Sequence, residues 1–101
     1  MSKAQWSKEI LMPDTLEQQF SRASEEVTAL SKAPDNLEKL RLYGLFKQAT
    51  QGDCTGARPS MIDFVSRAKY DSWHGLEGIS SEDAMQQYVD LVEQMKKTAA
   101  K

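Results

Sequence analysis

Apolar residues along this chain recur in steps of three and four, the period of an α-helix, and no stretch alternates convincingly as a strand would. The first segment runs from Leu16 to Leu30, with Leu16, Phe20, Ala23, Val27 and Leu30 on one face. Asp14, followed by Glu17 three residues on, predicts a capping box, and Pro34 predicts the stop. The second segment opens with the same device, Asp35 and Glu38, and carries Leu37, Leu40, Tyr43, Leu45, Phe46 and Ala49 up to Gly52, where a left-handed cap is favoured. Gln51 to Ser60 holds two glycines and a proline and reads as a loop. A third helix restarts at Ser60 with Asp63, is firmest from Ser66 to His74, and ends at Gly75 and Gly78. The last begins at Ser80-Ser81-Glu82-Asp83, whose carboxylates complement the helix dipole. Its stripe is Ala84, Met85, Tyr88, Val89, Val92 and Met95, with Lys96, Lys97 and Lys101 at its end. Four helices with short connections define an all-α fold, a small antiparallel-type helical bundle. Residues 1–13 read as an extension, whose Trp6 and Ile10-Leu11-Met12 either dock on the bundle or stay mobile; residues 14–101 read as the folded domain.

Composition narrows the function. With 101 residues, 40% of them apolar and 28% charged, the chain has material for one domain with a modest core. Its longest apolar run is three residues, against about 20 needed to cross a bilayer. A net charge of −2 argues against a general nucleic-acid binder. One cysteine, Cys54, excludes an internal disulfide and a cysteine zinc cluster, and one histidine, His74, leaves metal sites and histidine-based nucleophilic catalysis without parts. Neither has a partner of the right type at a useful spacing, so both read as incidental. The first residues lack a signal-peptide pattern, Ser2 excludes myristoylation, and no prenylation cysteine ends the chain, so a cytoplasmic location is expected. The charges are uneven. Asn36 to Tyr70 holds six cations (Lys39, Arg41, Lys47, Arg58, Arg67, Lys69) against three anions, whereas Asp71 to Met95 holds six anions and no Lys or Arg. A basic middle inside an acidic chain suits a site for a small anion, or else is an unevenly solvated surface.

Tyr43 and Lys47 are four residues apart and share a helix face. Gly44 between them costs roughly 1 kcal/mol of helix against alanine, which makes sense if something approaches the backbone closely there. An aromatic ring, a cation and a missing side chain could hold a nucleotide, ring on base and ammonium on phosphate. Equally, Tyr43 and Phe46 could be core aromatics and Lys47 solvated. Lys69, which with Arg67 is the only charge between Asp63 and Asp71, is available to a phosphate, and Tyr88 sits mid-stripe with a polar tip.

The order Phe20…Ala23…Val27, then Leu42-Tyr43-Gly44-Leu45-Phe46-Lys47-Gln48-Ala49-Thr50-x-Gly52-Asp53, resembles the acyl-CoA-binding protein family. So do Arg58-Pro59-x-Met61, Ala68-Lys69-x-Asp71-x-Trp73 and Gly78…Ser81-Glu82-Asp83-Ala84-Met85…Tyr88, and the resemblance runs from about Leu16 to Lys97 without an obvious gap. It implies an up-down-down-up four-helix bundle that binds medium- and long-chain fatty acyl-CoA esters, catalyses nothing and needs no cofactor. On that resemblance Tyr43, Lys47 and Lys69 gather around the 3′-phosphate, and Phe46 and Tyr88 help surround the adenine. Gly44 and Leu45 line the same cleft, and the acyl chain lies along a groove involving Leu40. The implied partner is the ester itself, with transient contact to acyl-CoA-using enzymes or membranes, no nucleic acid, and a monomeric state. Three positions depart from the family pattern: Phe46 where tyrosine is usual, Thr28 where many members carry a lysine that reaches the phosphates, and Tyr70 in place of a common tryptophan.

Two other classes fit less of the chain. Asp71-Ser72 superficially resembles the attachment site of an acyl carrier protein, but Trp73 is bulky where that motif wants leucine, and −2 is far less acidic than such carriers. A helix-groove interaction module without a small ligand would use the apolar stripes alone.

Overall fold

The computed structural model describes residues 15–99 and places four α-helices there: α1 Leu16–Glu26, α2 Asn36–Gln51, α3 Phe64–His74 and α4 Ser81–Ala99, with no strand among the described residues. Residues 1–13, the expected extension, lie outside them. The cap of α1 falls one residue later than Asp14. Thr15 Oγ1 accepts from the Gln18 backbone N–H at 3.1 Å, and the Thr15 N–H donates to Gln18 Oε1 at 3.0 Å. Thr15/Gln18 has the same spacing as Asp14/Glu17, so both satisfy the capping rule and only one can be the cap. The α-helix then ends at Glu26 rather than Leu30, the remaining apolar steps being a 3₁₀ turn over Val27–Ala29. Asp35 and Glu38 close the expected reciprocal cap on α2, and Gly52 ends it with φ +81°. Ser60 does not start α3; it forms a turn, and Asp63 caps the helix by accepting from Ser66 N–H.

The core joins Phe20 and Ala23 of α1, Leu42, Leu45 and Ala49 of α2, and Ala84, Tyr88, Val89, Leu91, Val92 and Met95 of α4. Helix α3 buries no residue fully and packs chiefly on α2. Lys69 meets Tyr43, and Lys47 meets Trp73, so the two helices run the same way, the middle pair of an up-down-down-up bundle. They touch at Gly44. A Cβ there would lie 2.7 Å from the Ser72 carbonyl oxygen, and Ser72 Oγ donates to the Leu40 carbonyl. The close approach that Gly44 signalled is therefore another helix's backbone.

A polar clasp fixes the far end of α2. Gln48 is fully buried, and its Nε2 donates to Asp53 Oδ1 and to the Ile79 carbonyl, both at 2.8 Å. Asp53 Oδ1 also accepts from the Gly78 N–H at 2.9 Å. Trp73 Nε1 donates to the Gly52 carbonyl, and Ser81 Oγ to that of Ala49. The Gly78 amide and then Gln48 hold the Asp53 carboxyl below its ordinary pKa. A depressed folded-state pKa stabilises the fold above the unfolded value near 4, and that contribution is lost as pH falls through the folded value. Melting curves of the wild-type protein should thus fall off below about pH 4, and Asp53→Asn should flatten that limb while lowering the neutral-pH melting point. An acid limb as steep in the variant as in wild type would show that Asp53 plays no part in it.

Candidate functional site

Between the end of α1, the first half of α2 and the middle of α4 lies a hollow of about 390 Å³, lined by Val27, Thr28, Pro34, Lys39, Leu42, Tyr43, Phe46 and Tyr88. Its shape follows from helix geometry. Positions 39, 42, 43 and 46 of α2 fall on one side because successive residues turn by about 100°. Its floor is aromatic. Phe20 meets Tyr88 edge-on at 5.0 Å and Phe46 at 5.4 Å, while Phe46 and Tyr88 stand 6.2 Å apart. Phe46 is 39% exposed and Tyr88 only 4%, so Phe46 offers a ring to whatever enters. Burial pushes the Tyr88 phenol pKa up, which keeps it neutral.

Beside the hollow, two cations from different helices meet one ring. Lys47 Nζ lies 5.9 Å from the Tyr43 centroid and Lys69 Nζ 5.4 Å from it; Lys47 also stands 4.9 Å over Trp73. Neither ammonium forms a salt bridge among the described residues. Two other cations of the basic segment are engaged. Arg58 grips Asp71 through two bonds of 2.8 and 2.7 Å, and Arg67 donates to the Pro59 carbonyl. Two ammonium groups drawn together without a carboxylate make a local positive potential suited to a multiply charged anion.

Of the residues singled out from sequence, Tyr43, Phe46 and Tyr88 line the hollow, and Lys47 and Lys69 stand at Tyr43. Gly44 and Leu45 do not line it. Gly44 is pressed against Ser72, and Leu45 is 3% exposed in the core. Leu40 is half-buried on the α3 side, its carbonyl taken by Ser72. Thr28 lines the hollow, but its hydroxyl donates to Glu25 O at 2.7 Å. Tyr70 stacks on His74 at 5.6 Å and donates to the Gly56 carbonyl, which ties α3 to the preceding loop. Cys54 is buried, and burial raises its thiol pKa, as an unreactive side chain would show. Lys39 and Trp73 were missed as site residues. Spacing held the signal, since Lys39 precedes Tyr43 by four residues and Trp73 follows Lys69 by four.

A helical bundle with an aromatic hollow and an unneutralised cationic cluster at its rim has the form of a small-ligand-binding domain, one shaped for a molecule with an apolar or aromatic part and an anionic part. Residues 17–92 match the family model described as acyl CoA binding protein. Acyl-CoA-binding protein of Dictyostelium discoideum is 45% identical over 76 residues, which are 75% of this chain and 90% of that protein. Enoyl-CoA delta isomerase 2 of Rattus norvegicus is 50% identical over 76 residues, but this chain spans only 19% of its length. Among solved structures, that of Oryza sativa acyl-CoA-binding protein 2 superposes with a TM-score of 0.81 at 38% identity, covering 85% of this chain and 94% of that one. The chain belongs to the acyl-CoA-binding protein family.

Proposed function

We propose that this protein binds medium- and long-chain fatty acyl-CoA esters non-covalently and carries them without transforming them. Family and fold support acyl-CoA binding. The observation that carries the finer reading is the convergence of Lys47 and Lys69 on Tyr43 at the rim of the hollow. In this reading Tyr43, Lys47 and Lys69 hold the 3′-phosphate, while Phe46 and Tyr88 surround the adenine. Leu40 borders the acyl chain, which runs over the α2–α3 face; Leu37 and Val65, 74% and 66% exposed, offer apolar surface on those helices. Gly44 and Leu45 serve by packing α2. The binding domain is residues 14–101. Among the described residues no helix is long and apolar enough to cross a membrane. The carrier would act as a cytoplasmic monomer that yields its ester to enzymes or membranes.

Magnitudes divide the labour. Burying about 14 methylenes at ~0.8 kcal/mol each is worth at most ~11 kcal/mol before association costs. Two ammonium groups on a dianion add a few kcal/mol and fix orientation. Chain length therefore sets affinity, and the phosphate cluster sets preference for the thioester over a free fatty acid. Calorimetric titration with palmitoyl-CoA and with palmitate tests this: strong heat from the first and little from the second is expected. Equal affinity for both, or no binding of either, would end the proposal.

A further inference from the structure

We propose that Lys39 forms a second anion subsite, which takes the 5′-diphosphate of the ligand; this rests on the acyl-CoA reading and deepens it. Among the described residues, Lys39 is the one charged side chain lining the hollow. Of the other polar lining groups, the Thr28 hydroxyl gives its proton to the Glu25 carbonyl at 2.7 Å, and the Tyr43 and Tyr88 phenols are neutral donors without a cation's charge. Lys39 makes no ion pair among the described residues. The nearest carboxylates along the chain are occupied, since Glu38 Oε1 accepts from Asp35 N–H and Asp35 Oδ1 from Glu38 N–H, which closes the α2 cap. Arg41, two residues on, is turned to a different hollow with Leu45, Ser72 and Gly75.

Position then gives the ligand chemistry. Lys39 and Lys47 stand four residues before and after Tyr43, about 12 Å apart along α2, so the hollow has a cation at each edge. An adenosine with its base in the hollow and its 3′-phosphate at Lys47 and Lys69 carries its second anionic group, the 5′-diphosphate, on the other edge of the ribose. Lys39 is the ammonium left to meet it.

The test titrates palmitoyl-CoA and palmitoyl-dephospho-CoA, which lacks the 3′-phosphate but keeps the diphosphate, into wild type, Lys39→Met, Lys39→Arg and Lys47→Met. Lys39→Met keeps the apolar stem and should weaken both esters alike, by about tenfold, with the melting temperature unchanged. Lys39→Arg should restore most of the affinity, and Lys47→Met should weaken only palmitoyl-CoA. Lys39→Met with wild-type affinity for both esters overturns the inference alone. So does a loss confined to palmitoyl-CoA, which would move Lys39 to the 3′-phosphate. Wild-type protein that takes up neither ester overturns the acyl-CoA reading and this inference with it.

Discussion

Gly44→Val is expected to destabilise the bundle by about 3 kcal/mol and lower its melting temperature by about 15 °C. Valine's slight gain in helix propensity over glycine, well under 1 kcal/mol, cannot offset the overlap. Even the first added carbon would sit 2.7 Å from a backbone oxygen of α3, and a backbone cannot rotate out of the way as a side chain can. The two helices must separate, and their separation carries Tyr43 and Lys47 away from Lys69 and Trp73. Acyl-CoA affinity should therefore fall in the same variant well below its melting point. Thermal melting followed by circular dichroism reads the first effect and calorimetry the second; unchanged melting would mean that the α2–α3 contact is looser than described.

The double variant Lys47→Ala/Lys69→Ala carries the largest expected loss of binding. In the proposed site each ammonium would make a charge-assisted contact worth about 1.5–3 kcal/mol, so losing both should cost about 10²–10⁴-fold in palmitoyl-CoA affinity. Lys47→Ala alone should cost at least about tenfold. Neither lysine has a salt-bridge partner among the described residues, and removing two neighbouring positive charges relieves repulsion, so the melting temperature should barely move. Affinity for palmitoyl-dephospho-CoA should also survive. Parallel losses of stability and binding would make these lysines structural.

The helices were legible because their signals are local. Asp35 and Glu38 cap α2 as their spacing predicts, and Gly52 stops it in the left-handed region. Where two adjacent pairs fit one rule, as at Asp14/Glu17 and Thr15/Gln18, spacing alone could not choose, and the cap moved by a residue. The site was legible in part. Tyr43, Lys47 and Lys69 were singled out from sequence and stand together in the structure, while Gly44 and Leu45, expected to line the same cleft, pack against Ser72 and into the core. Five consecutive helical residues sweep more than a full turn, so a contiguous motif must divide between faces. Tyr43 and Phe46 face the hollow, and Gly44, Leu45 and Gln48 face the rest of the protein. That Gly44 serves Ser72 was beyond reach, because residues 28 positions apart meet only once the bundle has formed.

Helix α3, which buries no side chain fully and leans chiefly on α2, has the least to hold it in place. The molecule is accordingly a three-helix body with a fourth helix as its most easily released part, attached through Ser72, Trp73 and the Arg58–Asp71 tie. A ligand gripped by Lys47 from the body and Lys69 from α3 would act as a latch across that joint. Spontaneous detachment of α3 would become rarer in proportion to how tightly the cargo is held.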